Sequence, residues 1–145
     1  MAPIAPPEFE RVLPLIADYQ RFYGVAEPDG ARNADFFRRF LAPSDDGLLL
    51  GAWRGDELVG HACLYWTFSS ISATEVVLLN DLFVVPAARG GGVGRALIEH
   101  SAAVARERGA SKLTWSTALD NRTAQALYER TGAGRSAWFD YELDV

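Results

Sequence analysis

Residues 84–95 read Val84-Val85-Pro86-Ala87-Ala88-Arg89-Gly90-Gly91-Gly92-Val93-Gly94-Arg95: a β-branched run, a proline that stops it, and glycines that open onto an amphipathic stretch. A strand that hands over to a helix in this way is the building unit of mixed α/β sheets. Downstream, residues 92–108 place Val93, Ala96, Leu97 and Val104 on one face and Arg95, Glu99, Arg106 and Glu107 on the other, with Gly109 as the stop. Lys112 to Leu119 alternates as a strand, Asn121 is placed to cap a helix, and Ala124, Leu127, Tyr128 and Thr131 fall on one stripe before Gly132. A last strand is expected from Ala137 to Val145.

Upstream the period is two. Leu48–Trp53 and Leu58–Trp66 flank a tight turn at Gly55-Asp56, and Glu75–Val85 (EVVLLNDLFVV) is a third run, so the middle of the chain predicts a three-stranded antiparallel meander. Before it lie two helical patterns, Glu8–Tyr23, with Pro14 predicting a kink or a late start, and Asn33–Leu41. The opening MAPIAPP allows at most a short edge strand. The expected order after that segment is α-α-β-β-β-α-β-α-β, an α/β fold with one mixed, mostly antiparallel sheet, and with no repeat or linker it reads as a single domain, 1–145.

Composition narrows the function classes. At 49% hydrophobic and 23% charged, 145 residues can bury their own core. A formal charge of −5 opposes attraction to nucleic-acid backbones and to anionic membranes. One cysteine, Cys63, forbids an internal disulfide, and with only His61 and His100 beside it no four-ligand zinc site forms unless carboxylates or a second chain contribute; no metal is expected. The apolar stretches are too short to span a membrane and the N-terminus lacks a basic-then-apolar signal pattern, so a cytoplasmic location is expected.

Chemistry concentrates at the glycine run. The first N–H groups of a helix lack intrahelical partners and its dipole favours anions, and glycines let a pyrophosphate approach the backbone closely. The run is not a Walker loop, for no Gly-Lys-Ser/Thr follows, nor a dinucleotide fingerprint, for Arg95 stands at the third glycine position. Read alone, the glycines are equally a tight turn that permits close packing.

The flanks decide between these. Arg89 through Gly94 fits Arg/Gln-x-x-Gly-x-Gly/Ala, and DNRTAQALYERTG at 120–132 fits Asn-x-x-Ala-x-x-Leu-Tyr-Glu-x-x-Gly, so the chain resembles the GNAT superfamily of N-acetyltransferases. The resemblance runs from about Leu48 to the C-terminus, with LNDLFVVP at 79–86 in family order, and leans toward the branch of diamine and small amine or amino-acid acetyltransferases. It implies that the pyrophosphate of acetyl-CoA lies on Arg89, Gly90, Gly91, Gly92, Val93, Gly94 and Arg95. It implies that the pantetheine arm pairs like an added strand with Leu82, Phe83 and Val84 and passes near Asn121, and that Tyr128 points at the thioester sulfur. A homodimer is implied as well.

The reaction needs such groups. A lysine-like amine with a pKa near 10.4 is only about 0.04% neutral at pH 7, a cost of about 4.6 kcal/mol unless the site removes the proton. The departing thiolate should receive one, and a tyrosine, protonated at pH 7, can donate it. Read alone, Tyr128 is a core tyrosine on a helix stripe; within the flanking pattern it takes the acid role. Where diamine acetyltransferases carry Glu-Asp this chain has Asn80-Asp81, which places polyamine specificity in doubt. Strand alternation puts Asp81 on a face with Leu79 and Phe83, and Asn80 with Leu78 and Leu82, unless a bulge re-aims one of them. Asp81 is the candidate for binding the amine or relaying its proton through water; a carboxylate capping backbone donors at a bulge is the alternative.

Asn80, Tyr23 and Trp66 are candidate acceptor-binding residues, and Tyr19, Phe22 and Phe68 are further aromatic candidates, although helix and strand burial explain the aromatics equally well. His61 and His100 read as a strand-facing and a helix-surface histidine, and Cys63 as core. The expectation is transfer of an acetyl group from acetyl-CoA, the acyl-donor substrate, to a primary amine of a small molecule, without metal or acyl-enzyme. Acetylation of a protein lysine or N-terminus, and a non-catalytic acyl-CoA-binding module, are the alternatives.

Overall fold

The structure, a computed structural model, describes residues 1–145. Its elements in chain order are β1 (Ala2–Pro3), α1 (Phe9–Phe22), α2 (Gly30–Phe37), β2 (Gly47–Arg54), β3 (Glu57–Ser69), β4 (Thr74–Val84), α3 (Val93–Glu107), β5 (Leu113–Thr114) and α4 (Arg122–Glu129). They build a mixed α/β fold around one sheet ordered β1-β2-β3-β4-β5, antiparallel throughout except for the parallel β4–β5 pair. The meander and the crossover through α3 follow the sequence expectation, and the hairpin between β2 and β3 turns at Gly55, whose φ of 58° suits glycine.

Each face of the sheet is covered. On one, Leu50, Ala62, Leu64, Val77 and Leu79 pack against Leu97 and Ile98 of α3. On the other, Leu49, Leu58 and Cys63 pack against Val12 and Ile16 of α1 and Phe37 of α2. Fully buried side chains such as Val12 and Ile16 each contribute about 1.5–3 kcal/mol. Pro14 does not break α1: it lies on the exposed side, where water can take the carbonyl it leaves unpaired. α2 begins earlier than its apolar pattern, at Gly30, because Asp29 caps it by accepting from the Arg32 N–H at 3.0 Å.

Two expectations are corrected. The strand read at 112–119 pairs only at Leu113 and Thr114, opposite Val77 and Leu78, because the chain then diverges from β4 and leaves a splayed opening between the two strands. Residues 137–145 form no strand: their alternation is that of a half-buried strand, but a strand exists only beside a hydrogen-bonding neighbour, and in the single chain this segment has none.

Candidate active site

The site is built at the splay. A cleft there is lined by Tyr19 from α1, Asn80 and Leu82 from β4, Trp115 and Ser116 beyond β5, and Tyr128 from α4, with Tyr23 at its rim. A second opening runs from Tyr23 to Asn121 at the start of α4. Asn121 caps that helix, accepting from the Ala124 N–H at 3.2 Å.

A bulge shapes the β4 wall. Cys63 lies opposite Asp81 and Leu64 opposite Leu79, so Asn80 is the extra residue of the ladder. The alternation read from sequence therefore breaks at this point. Leu79 and Leu82 pack on the α3 side, whereas Phe83 turns to α1, its ring 6.4 Å from that of Tyr19, and Asp81 shares that side with it. The alternation is expected unless a bulge re-aims a residue, and the structure has that bulge: Asp81 no longer shares a side with Leu79, while Asn80 and Leu82 both line the cleft. Asn80 donates through Nδ2 to the Asp81 carboxylate at 2.9 Å and to the Tyr65 hydroxyl at 3.1 Å.

Asp81 is only 5% exposed. Burial pushes its carboxyl up to about 6 from an ordinary value of 3.8, while the Tyr19 hydroxyl and the Asn80 amide, both facing it, pull in the other direction by holding the ionised form. Burial is also the main cause that raises the hydroxyls of Tyr19, Tyr65 and Tyr128, with the Asp81 charge adding to it at Tyr19. These phenols are proton donors at neutral pH. The arrangement couples a buried carboxylate to the cleft through groups that can pass a proton, and sets Tyr128, its ring 5.5 Å from Trp115, on the opposite wall.

The glycine loop lies beyond the end of β4. Gly90 and Gly92 adopt φ of 77° and 82°, a region that disfavours side chains, and a Cβ at either would project into open space. Gly92 is the N-cap of α3 and offers no side chain, so Val93, Gly94 and Arg95 carry the N–H groups without intrahelical partners; the first helical bond runs from Ala96 N–H to Gly92 O at 3.0 Å. A Cβ at Gly94 would come 3.1 Å from Leu127 Cδ2, so the Leu127 side chain would have to shift by a few tenths of an ångström to accept one. Arg89 folds back, donating from Nε to Val84 O at 2.9 Å, and Arg95 pairs with Glu99 at 2.7 Å. Residues 79–84 of β4 have no strand neighbour on the splayed side. Backbone donors at a helix start and an unpaired strand edge fit the diphosphate and amide-bearing arm of acetyl-CoA.

The structure thus brings together Tyr128, Asn80, Leu82 and Tyr23, sets Asp81 behind them, and places the glycine loop at the end of the same strand. It does not bring Trp66. That residue lies on the α3 side, its Nε1 donating to Ser44 O at 3.1 Å under the Arg108 guanidinium, 4.0 Å from the ring. Its neighbour Tyr65 faces Asn80 instead, and Phe68 is exposed away from the cleft. Sequence reasoning missed Tyr65, Trp115 and Ser116 and gave Tyr19 no special place. A signal was available for Tyr65: adjacent residues of a strand face opposite sides, so Tyr65 and Trp66 cannot both face one site. His61 is fully buried beside Tyr19 and Phe83 with neither ring nitrogen hydrogen-bonded, and burial pushes it down to about 3; Cys63 is core. No helix is long and apolar enough to cross a membrane.

Comparison with known proteins gives the same direction. Residues 12–133 match the model of the acetyltransferase (GNAT) family. The chain is 37% identical over 135 residues to the uncharacterized N-acetyltransferase YhfO of Bacillus subtilis (strain 168), covering 92% of this chain and 89% of the relative. It is 33% identical to the D-amino-acid N-acetyltransferase HPA3 of Saccharomyces cerevisiae over 88% of this chain and 80% of that one. Among solved structures, the crystal structure of a probable acetyltransferase superposes with a TM-score of 0.84 at 30% identity, covering 97% of this chain and 94% of the other. By sequence and by fold, the chain belongs to the GNAT family of acetyltransferases and is an N-acetyltransferase enzyme.

Proposed function

We propose that this enzyme transfers the acetyl group of acetyl-CoA to a primary amine of a small molecule by direct attack of the amine on the thioester, in the cleft between β4 and β5. The observation that carries the reading is the pairing, across one cleft, of a buried carboxylate reached through Tyr19 and Asn80 with a tyrosine hydroxyl on the opposite wall. The amine nitrogen forms the new bond to the carbonyl carbon as the carbon–sulfur bond breaks. Its proton passes by water or the Tyr19 hydroxyl toward Asp81, which at pH 7 is ionised and able to accept it. Tyr128 supplies a proton to the departing sulfur. The free N–H groups of Val93, Gly94 and Arg95 hold the diphosphate, with Arg89 and Gly90 to Gly92 shaping the loop, and the open edge at Leu82 to Val84 pairs with the pantetheine arm.

Asn80 and Tyr23 border the acceptor end of the cleft, and Asp81, hydrogen-bonded to Asn80, is the carboxylate behind it. Relatives named for D-amino acids and for thialysine support a small amine acceptor. The whole of residues 1–145 acts as one unit, as a homodimer in the cytoplasm, with no metal in the reaction. Incubation with acetyl-CoA and a panel of small primary amines, following free CoA, tests the reading. Amine-dependent release of CoA is expected; acetyl-CoA binding without release by any amine in the panel would make the chain a binding module or a protein acetyltransferase.

A further inference from the structure

Two opposite charges act on the hydroxyl of Tyr65. That hydroxyl accepts from Nδ2 of Asn80, a residue of the cleft wall, at 3.1 Å, and the Tyr65 ring is stacked on Phe40 with centroids 4.9 Å apart. Burial is the main cause that raises the hydroxyl; Cys63 and Asp81 push it further up, whereas the Arg39 guanidinium pulls it down. A buried anion and an exposed cation thus meet at one phenol oxygen on the acceptor side of the cleft.

The cation is held in place. Arg39 lies in the 3-10 turn Arg38–Phe40 that follows α2, and its carbonyl accepts from Ser44 Oγ at 2.5 Å. Its guanidinium sits over the Phe36 ring, 5.1 Å from the centroid, and Phe36 packs edge-on against Phe40, the ring that carries Tyr65. A guanidinium over an aromatic face keeps its N–H fork free for a planar anion, and a carboxylate matches that fork two bonds at a time. No carboxylate of the chain takes it: Arg39 forms no ion pair, even with Asp35 one helical turn before it. A cation beside an amine site repels a simple ammonium ion, but it suits a molecule that carries a negative end as well.

We infer that the acceptor is an amino acid, whose amine enters past Asn80 toward Asp81 and whose carboxylate is held by the Arg39 guanidinium, with the Tyr65 hydroxyl between the two ends. This rests on the proposed transfer to a small primary amine and names the class of that amine. Arg39 is a specificity residue in this account and takes no part in moving protons.

The test uses matched pairs that differ only by the carboxylate, lysine with cadaverine and phenylalanine with phenethylamine, in initial-rate assays of CoA release by the full-length enzyme. Within each pair the quantity read is the ratio of kcat/KM for the amino acid to that for the amine, in the wild type, Arg39→Gln and Arg39→Lys. Differences in amine pKa within a pair are the same for all three proteins and cancel when the ratios are compared. Arg39→Gln should lower the ratio by about 10-fold or more, chiefly through KM for the amino acid, and Arg39→Lys, which keeps the charge and loses the fork, should fall between. Arg39 is exposed, and the acetyl-CoA-dependent rise in melting temperature checks that each variant is folded with its donor site intact. A ratio that Arg39→Gln leaves unchanged overturns the inference, as does a wild type that acetylates the amines and neither amino acid; transfer to small amines stands in both cases. Release of CoA with none of the four compounds nor any other small amine overturns both.

Discussion

Asn80 donates its side-chain amide to the carboxylate of the very next residue, Asp81, at 2.9 Å. Neighbours on a regular strand point to opposite faces and do not meet. They meet here because Asn80 is the inserted residue of a bulge in β4, which turns Asp81 toward α1 and leaves Asn80 at the cleft. One irregular residue therefore sets the charged group of the site behind a polar screen of Asn80, Tyr19 and Tyr65.

A raised carboxyl carries a stability cost. The folded state of Asp81 holds its proton up to about pH 6 and the unfolded chain releases it near 3.8, so between those values the unfolded state binds fewer protons and stability falls as pH rises, levelling above 6. Asp81→Asn removes the charge and keeps the shape. It should raise stability at pH 7 by about 1–3 kcal/mol and have little effect below pH 4. Denaturant melts at the two pH values check this; a variant less stable than wild type at pH 7 would mean that the ionised carboxylate is a net structural asset.

His61 acts in the opposite sense. Its folded pKa is depressed to about 3, so its contribution is fully present above the unfolded value of 6.5 and is lost as pH falls toward 3, at about 1.4 kcal/mol per pH unit at most. Since neither nitrogen has a partner, His61→Leu should be neutral or stabilising at pH 7 and should flatten the acid limb of the stability curve between pH 6.5 and 4. An unchanged acid limb would assign that limb to other groups.

The glycine loop is tested through donor binding. A saturating native-state ligand at one hundred times its dissociation constant adds about 2.7 kcal/mol. Acetyl-CoA should therefore raise the melting temperature of the wild type. Gly92→Val places a branched side chain at φ 82° and in the space before the free N–H groups of α3, and should lower stability modestly and abolish the CoA-dependent rise. A folded variant with unchanged CoA affinity would remove the loop from the donor site.

Tyr128→Phe deletes one hydroxyl in a packed position against Trp115. It should lower kcat by about 10²-fold or more and leave CoA binding nearly intact. Steady-state kinetics with a good amine check it, and turnover equal to wild type would make Tyr128 a packing residue.

The parts of the fold and of the site that are legible in the sequence are those written as periods. The meander, the α3 crossover and the α4 stripe with Tyr128 follow from runs of apolar residues, and the loop from glycines between two of them. The bulge at Asn80 has no compositional mark, so the sides of Leu79 and Leu82 relative to Asp81 could not be read. Aromatic character alone puts Trp66 among the acceptor candidates, whereas its place is set by strand parity, which turns Tyr65 and not Trp66 toward Asn80. At 137–145 the alternation is strand-like but the segment pairs with no strand, and period alone does not supply a neighbour.

The central claim is that Asp81 receives the proton of the amine, and the pH profile of turnover tests it most directly. With an amine that supports catalysis, kcat should be measured from pH 5 to 9 for the wild type and for Asp81→Asn. The wild type should climb through an inflection near 6, where the carboxyl ionises. Asp81→Asn should lack that inflection, turn over more slowly at neutral pH, and recover only as the free amine becomes commoner at high pH. Superimposable profiles for the two proteins would contradict the claim.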